Sequence, residues 1–349
     1  MTGRTDLKNL TRPELTAFLA PLDKASYRAG QLMKWVYQQR VADFDRMTNL
    51  SKRFRERLAD VAYVSILTPS IAEVSEDGTV KFQFTLEDGA KIESVIIPDE
   101  DRVTLCLSTQ VGCALGCTFC YTGSLGLTRH LTTAEIVNQI CAANDWLVEH
   151  RRPTLTNLVY MGMGEPLHNY EPTVKSIRIA AHNDGLQFSH RKITVSTSGL
   201  IPEMERLLRD TQCHLAISLH ATTDATRTRL MPINRRYPLE DLLEACRRLP
   251  LSNRQRITFE YTLIDGVNDS EADAHRLARL LRGIPSKVNL IAMNEHPASP
   301  FKAPPYERVR RFQDVVQAAG YTAFLRTRRG DDIGAACGQL GERAPEARA

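Results

Sequence analysis

The spacing of apolar positions divides the chain into three unlike stretches. From Thr11 to Asp60 the period is helical. Thr11-Arg12-Pro13-Glu14 is a capping-box start ahead of Leu15, Phe18 and Leu19. Leu32, Trp35, Val36 and Gln39 follow at i, i+3, i+4 spacing. A third helix begins near Ser51, with Phe54 and Leu58 on one face and Lys52, Arg53, Arg55 and Arg57 around it. Val80–Ile97 switches to period two: Val80, Phe82, Phe84 and Leu86 alternate with polar residues, Asp88-Gly89 supplies a turn, and Lys91–Ile97 returns. Glu93 sits in the returning strand, where an outward-facing acid is normally solvated.

From Arg102 onward strands and amphipathic helices alternate. The predicted strands are Val103–Leu107, Leu158–Met161, Lys192–Ser196, His214–Leu219, Ile257–Leu263 and Lys287–Ile291, with Tyr321–Arg326 as a last strand in the tail. The helix Thr132–His150 opens on a second capping box, Thr132 to Glu135. Repeated β-α units imply a parallel sheet covered by helices. The fold class is therefore α/β, a partial (β/α)6 barrel with a small N-terminal helical module and a β-hairpin extension. The corresponding division is 1–62 for the helical module, 63–101 for the hairpin linker, 102–340 for the barrel with a cysteine-bearing C-terminal loop, and 341–349 for a polar, alanine-rich tail expected to be disordered.

Polar or glycine-rich motifs fall at the C-terminal end of each predicted strand, the rim on which β/α barrels build their sites. They include Gly162-Met163-Gly164-Glu165-Pro166 after the second strand, Ser196-Thr197-Ser198-Gly199 after the third and Ser218-Leu219-His220-Ala221 after the fourth. Asn294-Glu295-His296 follows the sixth. After the first comes Gly112-Cys113-Ala114-Leu115-Gly116-Cys117-Thr118-Phe119-Cys120-Tyr121. Three thiols are one short of a closed structural zinc site. They suit a four-iron cluster with one iron left open to a ligand. The glycines beside Glu165 allow close backbone approach, and Glu165 could accept from an ammonium group.

The other cysteines divide. Cys141, Cys213 and Cys246 sit among apolar neighbours and read as small core residues. Cys106 points opposite to Leu105 and Leu107 along its strand, and Cys337 lies in a glycine-rich tail loop; both structural and functional roles stay open on pattern alone. His220, at the fourth rim position, is the best-placed histidine. No P-loop or GxSxG motif is present, which disfavours those hydrolytic chemistries.

Charge adds a partner class. Residues 1–62 hold 12 Lys and Arg against 7 Asp and Glu, while the remainder holds 33 against 34. The positive excess thus lies in the helical module, as expected of a surface that meets nucleic acid, although a solvated helical face has the same signature. Trp35 and Tyr37 fit either base stacking or the module's core. No apolar run reaches the ~20 residues of a membrane span, and Met1–Leu22 lacks a signal-peptide core, so a cytoplasmic location is expected.

Taken together, Cys113-x3-Cys117-x2-Cys120 and Gly164-Glu165-Pro166 resemble the cluster and ammonium-binding motifs of the radical SAM (S-adenosylmethionine) superfamily. With Tyr160–Pro166, Lys192–Gly199, Ser218–Ala221 and Arg329–Leu340 added, nearly the whole chain resembles the RlmN/Cfr adenosine methyltransferases of RNA. The resemblance implies a radical SAM barrel holding a [4Fe-4S] cluster on Cys113, Cys117 and Cys120. It implies S-adenosyl-L-methionine, two per turnover, in a site lined by Gly164, Glu165, Ser196, Ser218, Leu219, His220 and Asn294. It implies Cys337 as the methyl-carrying cysteine, Cys106 as the partner that closes a transient disulfide with it, and Glu93 as the proton acceptor. The expected activity is methylation of carbon 2 of adenine in 23S rRNA and in some tRNAs, by a monomer fed by a flavodoxin-like electron donor. Carbon-8 methylation uses the same motifs. A radical-generating activase of a protein partner would need neither Cys106 nor Cys337, and an RNA-binding protein with a structural metal would need no iron.

Overall fold

A computed structural model describes residues 3–22, 26–252 and 255–341. The expected disordered tail falls, beyond Gly341, outside the described residues. The N-terminal helices form where their caps and periodicity place them. Helix Arg12–Leu19 is closed by the Thr11–Glu14 capping box, with Thr11 N donating to Glu14 Oε2 at 2.9 Å. Helix Tyr27–Met33 runs on into a π-helical turn, Lys34–Gln38, and helix Lys52–Val61 follows. Leu32, Met33, Tyr37, Phe54 and Leu58 bury together as a core distinct from that of the barrel. Tyr37 is only 4 % exposed, so it is a core residue and not a stacking platform. Trp35 is half-buried, its Nε1 donating to Asn49 Oδ1 at 2.6 Å. The module's core reaches Val137, Cys141 and Ile179 of two barrel helices, and Thr5–Asp6 pairs in parallel with Ala62–Tyr63.

The main sheet has ten strands. Seven of them run parallel in the order Arg102–Cys106, Asn157–Tyr160, Ile193–Thr197, His214–Ser218, Ile257–Leu263, Ser286–Ala292 and Ala323–Leu325. The last is the short tail strand, paired with the sixth. Chemistry and packing separate cleanly along Ile257–Leu263: Tyr261 meets Phe312 of an outer helix at 5.2 Å, while Glu260 and Thr262 face the barrel cavity. Period two thus puts polar groups inside and apolar groups under the helices.

The hairpin Val80–Thr85 and Lys91–Asp99 forms as its alternation predicts, and it continues the same sheet, antiparallel to Arg102–Cys106. Phe82 and Phe84 are fully buried, each contributing about 2–3 kcal/mol of apolar burial. A further strand, Ile71–Val74, extends the edge; all four of its residues are exposed, so it carries no alternation for a sequence pattern to show. A small hairpin, Gln110–Gly112 with Leu127–His130, brackets the cysteine triplet. Gly112 makes it possible: with φ at +75°, a Cβ there would sit 1.9 Å from the Gly126 carbonyl oxygen.

Candidate active site

Six of the seven parallel strands, all but Arg102–Cys106, end on a cavity of about 770 Å³, counted out to the solvent at its mouth. Cys120, Gly164, Glu165, Ser196, Ser218, His220, Asn294 and Cys337 all line it, although they come from six distant parts of the chain. Cys113 and Cys117 do not line it; Cys117, with Cys120, borders a separate groove. Leu219 does not line the cavity. Its side chain is in the core, and only its backbone belongs to the rim, its N–H donating to the Glu260 carbonyl at 3.0 Å.

The Gly164-Glu165 turn is built by its neighbours. Gln110 Oε1 accepts the Glu165 N–H at 2.7 Å. Gly164 has φ at +98°, and a Cβ there would lie 2.5 Å from Cβ of Gln110. The Glu165 carboxylate is buried, with Oε1 accepting from Leu167 N at 3.0 Å and Oε2 from Ser198 N at 2.8 Å. Burial raises its pKa, and these hydrogen bonds oppose that rise. One carboxylate therefore ties the second rim loop to the third and presents its negative charge to the cavity.

His220 adopts a left-handed conformation, φ +55°, and its Nδ1 accepts from Thr262 N at 2.9 Å. Burial, reinforced by Arg227, lowers its pKa to about 3, so the ring is neutral with its proton on Nε2. Its ring packs edge-on against Phe119 of the triplet loop at 4.7 Å.

Cys337 sits in a loop clamped over the cavity. Asn294 Nδ2 donates to the Cys337 carbonyl at 3.0 Å, and Tyr121 N donates to the Gly338 carbonyl at 2.7 Å, so the loop rests on the triplet itself. Its far side is held by the hairpin extension: Gly330 N donates to Asp77 Oδ2 at 3.0 Å and Ser75 Oγ to Asp332 Oδ1 at 2.6 Å. Cys106 is buried behind this loop. Burial, with Cys337 close by, pushes its thiol up to about 12, and Arg326 opposes the rise. Cys141, Cys213 and Cys246 are buried core residues as their neighbours suggest.

Glu93 is the clear departure from its sequence pattern. It is buried, not solvated, and its Oε2 accepts from Gly341 N at 2.8 Å. Gly341 and the 163 turn lie against it, the latter through a contact of Glu93 N with Met163 Sδ at 3.3 Å. Residues beyond local pattern also belong to the site. Arg227 is fully buried. Glu260 lines the cavity, with Oε1 on Asn289 Nδ2 at 2.9 Å and Oε2 buried without a partner. Burial raises the Glu260 pKa, with Arg326 opposing.

The triplet's donor set is a test of what it could hold. Burial raises the thiols of Cys113, to about 12, Cys117 and Cys120, and the three sulfurs reinforce one another in Cys117. Such thiols become ligands only against a strong positive charge, which an iron centre supplies. Among the described residues, no group of three or more His, Cys, Asp or Glu is arranged to hold a metal ion as the side chains stand. Three sulfur donors on one loop, beside a cavity with acceptors, fit an iron–sulfur cluster in preference to a closed single-ion site.

This fold and this rim define a radical SAM enzyme, and residues 107–278 match the family model of the radical SAM superfamily. Residues 5–64 match the N-terminal domain of ribosomal RNA large subunit methyltransferases. A radical SAM methyltransferase from Sphaerobacter thermophilus superposes with a TM-score of 0.90 at 50% identity, covering 96% of this chain and 99% of that one. The dual-specificity RNA methyltransferase RlmN of Syntrophotalea carbinolica is 55% identical, over 97% of this chain and 90% of its own. That of Geobacter sulfurreducens is 52% identical, over 97% and 93%. The chain belongs to the RlmN family of radical SAM methyltransferases. A [4Fe-4S] cluster and SAM are the cofactors that membership implies. Among the described residues, no helix is long and apolar enough to cross a membrane.

Proposed function

We propose that this enzyme methylates carbon 2 of adenine in 23S rRNA and in a subset of tRNAs, in keeping with the dual specificity named for its relatives. The observation that carries the reading is the Cys337 loop, docked through Gly338 onto Tyr121 of the triplet loop and closing over Cys106. A radical enzyme that acted on a protein partner would have no use for that pair. Carbon 2 lies between two ring nitrogens and is too electron-poor to attack a sulfonium methyl, so a radical route is needed.

When bound, the cluster and SAM together supply one-electron chemistry at an open iron and the methyl group. Cys113, Cys117 and Cys120 hold the cluster. Glu165 receives the ammonium of SAM, and Gly164, Ser196, Ser218, the Leu219 backbone, His220 and Asn294 shape its pocket. Two molecules of SAM serve each turnover, matching the two roles. Cys337 carries the methyl group on sulfur, and Cys106 resolves the product by a transient disulfide with it. Glu93 accepts the proton from adenine. Because Gly341 N occupies its Oε2, the Gly338–Gly341 segment moves away first, which also frees Cys337 to move between partners.

Residues 1–62 form the RNA-holding module, 63–101 the hairpin that anchors the tail, and 102–340 the catalytic barrel. A monomer in the cytoplasm, reduced by a flavodoxin-like protein, completes the proposal. The test is methyl transfer from labelled SAM under anaerobic reducing conditions. Cys337→Ala should lose both label on the protein and label on RNA; undiminished RNA product would overturn the assignment and favour an activase.

A further inference from the structure

Arg227 is among the largest fully buried side chains of the described residues, on the helix Asp224–Leu230 that follows the fourth barrel strand. All five of its N–H groups are used. Nε donates to the Leu219 carbonyl at 3.2 Å, and Nη2 to the carbonyls of Ser198 at 2.8 Å and Ser218 at 3.1 Å. Nη1 donates to Asn234 Oδ1 at 2.9 Å and the Tyr237 carbonyl at 3.4 Å. Three of these carbonyls belong to the ends of the third and fourth strands, where Ser196, Ser218 and His220 face the cavity. Every acceptor is neutral. The nearby acid, Asp224, uses its Oδ1 on Asn234 Nδ2 at 2.8 Å and Leu239 N at 2.9 Å. The guanidinium is thus a buried cation whose hydrogen bonds are complete and whose charge no hydrogen-bonded carboxylate balances. Buried charges are retained at such cost only against an opposite charge or for a specific task.

The triplet loop lies one helical turn away. Thr118 N donates to the Leu230 carbonyl at 2.9 Å, and Cys117 packs with Leu230 and Met231. We propose that Arg227 is a positioning residue with two separable effects: its five hydrogen bonds shape the SAM-binding rim, and its charge, which Asp224 offsets only from a distance, favours the reduced state of the iron–sulfur centre at Cys117. The inference rests on the assignment of the cluster to Cys113, Cys117 and Cys120. Adding an electron to a centre held by three thiolates makes it more negative, and a fixed cation in a low-dielectric wall stabilises that added charge.

Two variants separate the effects. Arg227→Lys keeps the charge but has too few donors for the rim. The exchange D224N/N234D keeps Arg227 and the total charge while placing the carboxylate against the guanidinium. The measurement is the midpoint potential of the anaerobically reconstituted cluster, by redox titration followed by electron paramagnetic resonance, with SAM affinity measured on the same samples. The exchange variant and Arg227→Gln should shift the potential to more negative values. Arg227→Lys should keep it near that of the wild type while SAM affinity falls by about tenfold. Unchanged potentials in both the exchange variant and Arg227→Gln would overturn the electrostatic effect, as would a shift in Arg227→Lys equal to that in Arg227→Gln. Should Arg227→Gln fail to fold, the exchange variant decides alone. A wild-type protein that takes up no iron would overturn the ligand assignment and this inference together; a loaded cluster with unaltered potentials would overturn only the inference.

Discussion

Glu165→Gln is an apparently conservative change that the geometry makes severe. Both carboxylate oxygens accept backbone N–H groups, Leu167 at 3.0 Å and Ser198 at 2.8 Å, and the side chain is only 3 % exposed. A glutamine has one carbonyl oxygen and one NH2 group. Whichever way it is turned, one buried N–H faces another donor. Orphaning a buried donor costs about 1–3 kcal/mol, and the surviving hydrogen bond loses its charge assistance, for roughly another 1 kcal/mol. The loss of about 2–4 kcal/mol falls on the link between the second and third rim loops, where SAM is proposed to sit. At 1.4 kcal/mol per factor of ten, SAM affinity should fall by about 30-fold or more, before the missing charge toward the ammonium is counted. Calorimetric titration of the reconstituted protein with SAM reads the affinity, and urea unfolding reads the stability. Affinity within twofold of the wild type, at unchanged stability, would refute the dual role of this carboxylate.

Other outcomes follow from the same structure. Cys113→Ala should leave purified, anaerobically reconstituted protein with little bound iron, measured by iron and sulfide analysis; about four irons per chain retained would remove Cys113 from the ligand set. Gly164→Ala forces a left-handed backbone and a Cβ 2.5 Å from Gln110, so SAM affinity should drop by at least tenfold, for a strain of about 1–2 kcal/mol plus the clash. Asp77 anchors the tail loop through Gly330: partial burial raises its pKa, but hydrogen bonds from Thr79 and Gly330 outweigh that and lower it to about 2. A carboxyl with a depressed folded pKa stabilises the loop above its ordinary value of 3.8 and loses that stabilisation as pH falls toward 2. Pepsin cleavage between 330 and 341 should therefore rise steeply over that range, and Asp77→Asn should flatten the profile; an unaltered profile would detach Asp77 from the loop.

The parallel sheet could be read from the sequence because each strand and helix carries its own periodicity, and the Thr11 and Thr132 capping boxes mark true helix starts. The rim residues were legible for a related reason: glycine-rich and polar runs stand out just after apolar strands. What stayed hidden depends on tertiary burial. Glu93 has the sequence environment of a solvated strand residue and is buried by Gly341, 248 positions away. Arg227 sits in Asp224-Ala225-Thr226-Arg227-Thr228-Arg229-Leu230, where it looks like any surface-helix arginine; only the folded rim supplies its carbonyls. Glu260 interrupts an apolar strand, and that interruption is the one local signal that could have flagged it. Tyr37 shows the converse, an aromatic in a basic module that packing claims for the core.

The central claim, methylation at carbon 2 of adenine, is tested most directly by nucleoside mass spectrometry. Unmodified 23S rRNA and tRNA would be incubated anaerobically with the reconstituted enzyme, SAM and a low-potential reductant, then digested to nucleosides. The expected product is 2-methyladenosine from both RNAs, absent when Cys337 is alanine. 8-Methyladenosine as the main product would contradict the claim.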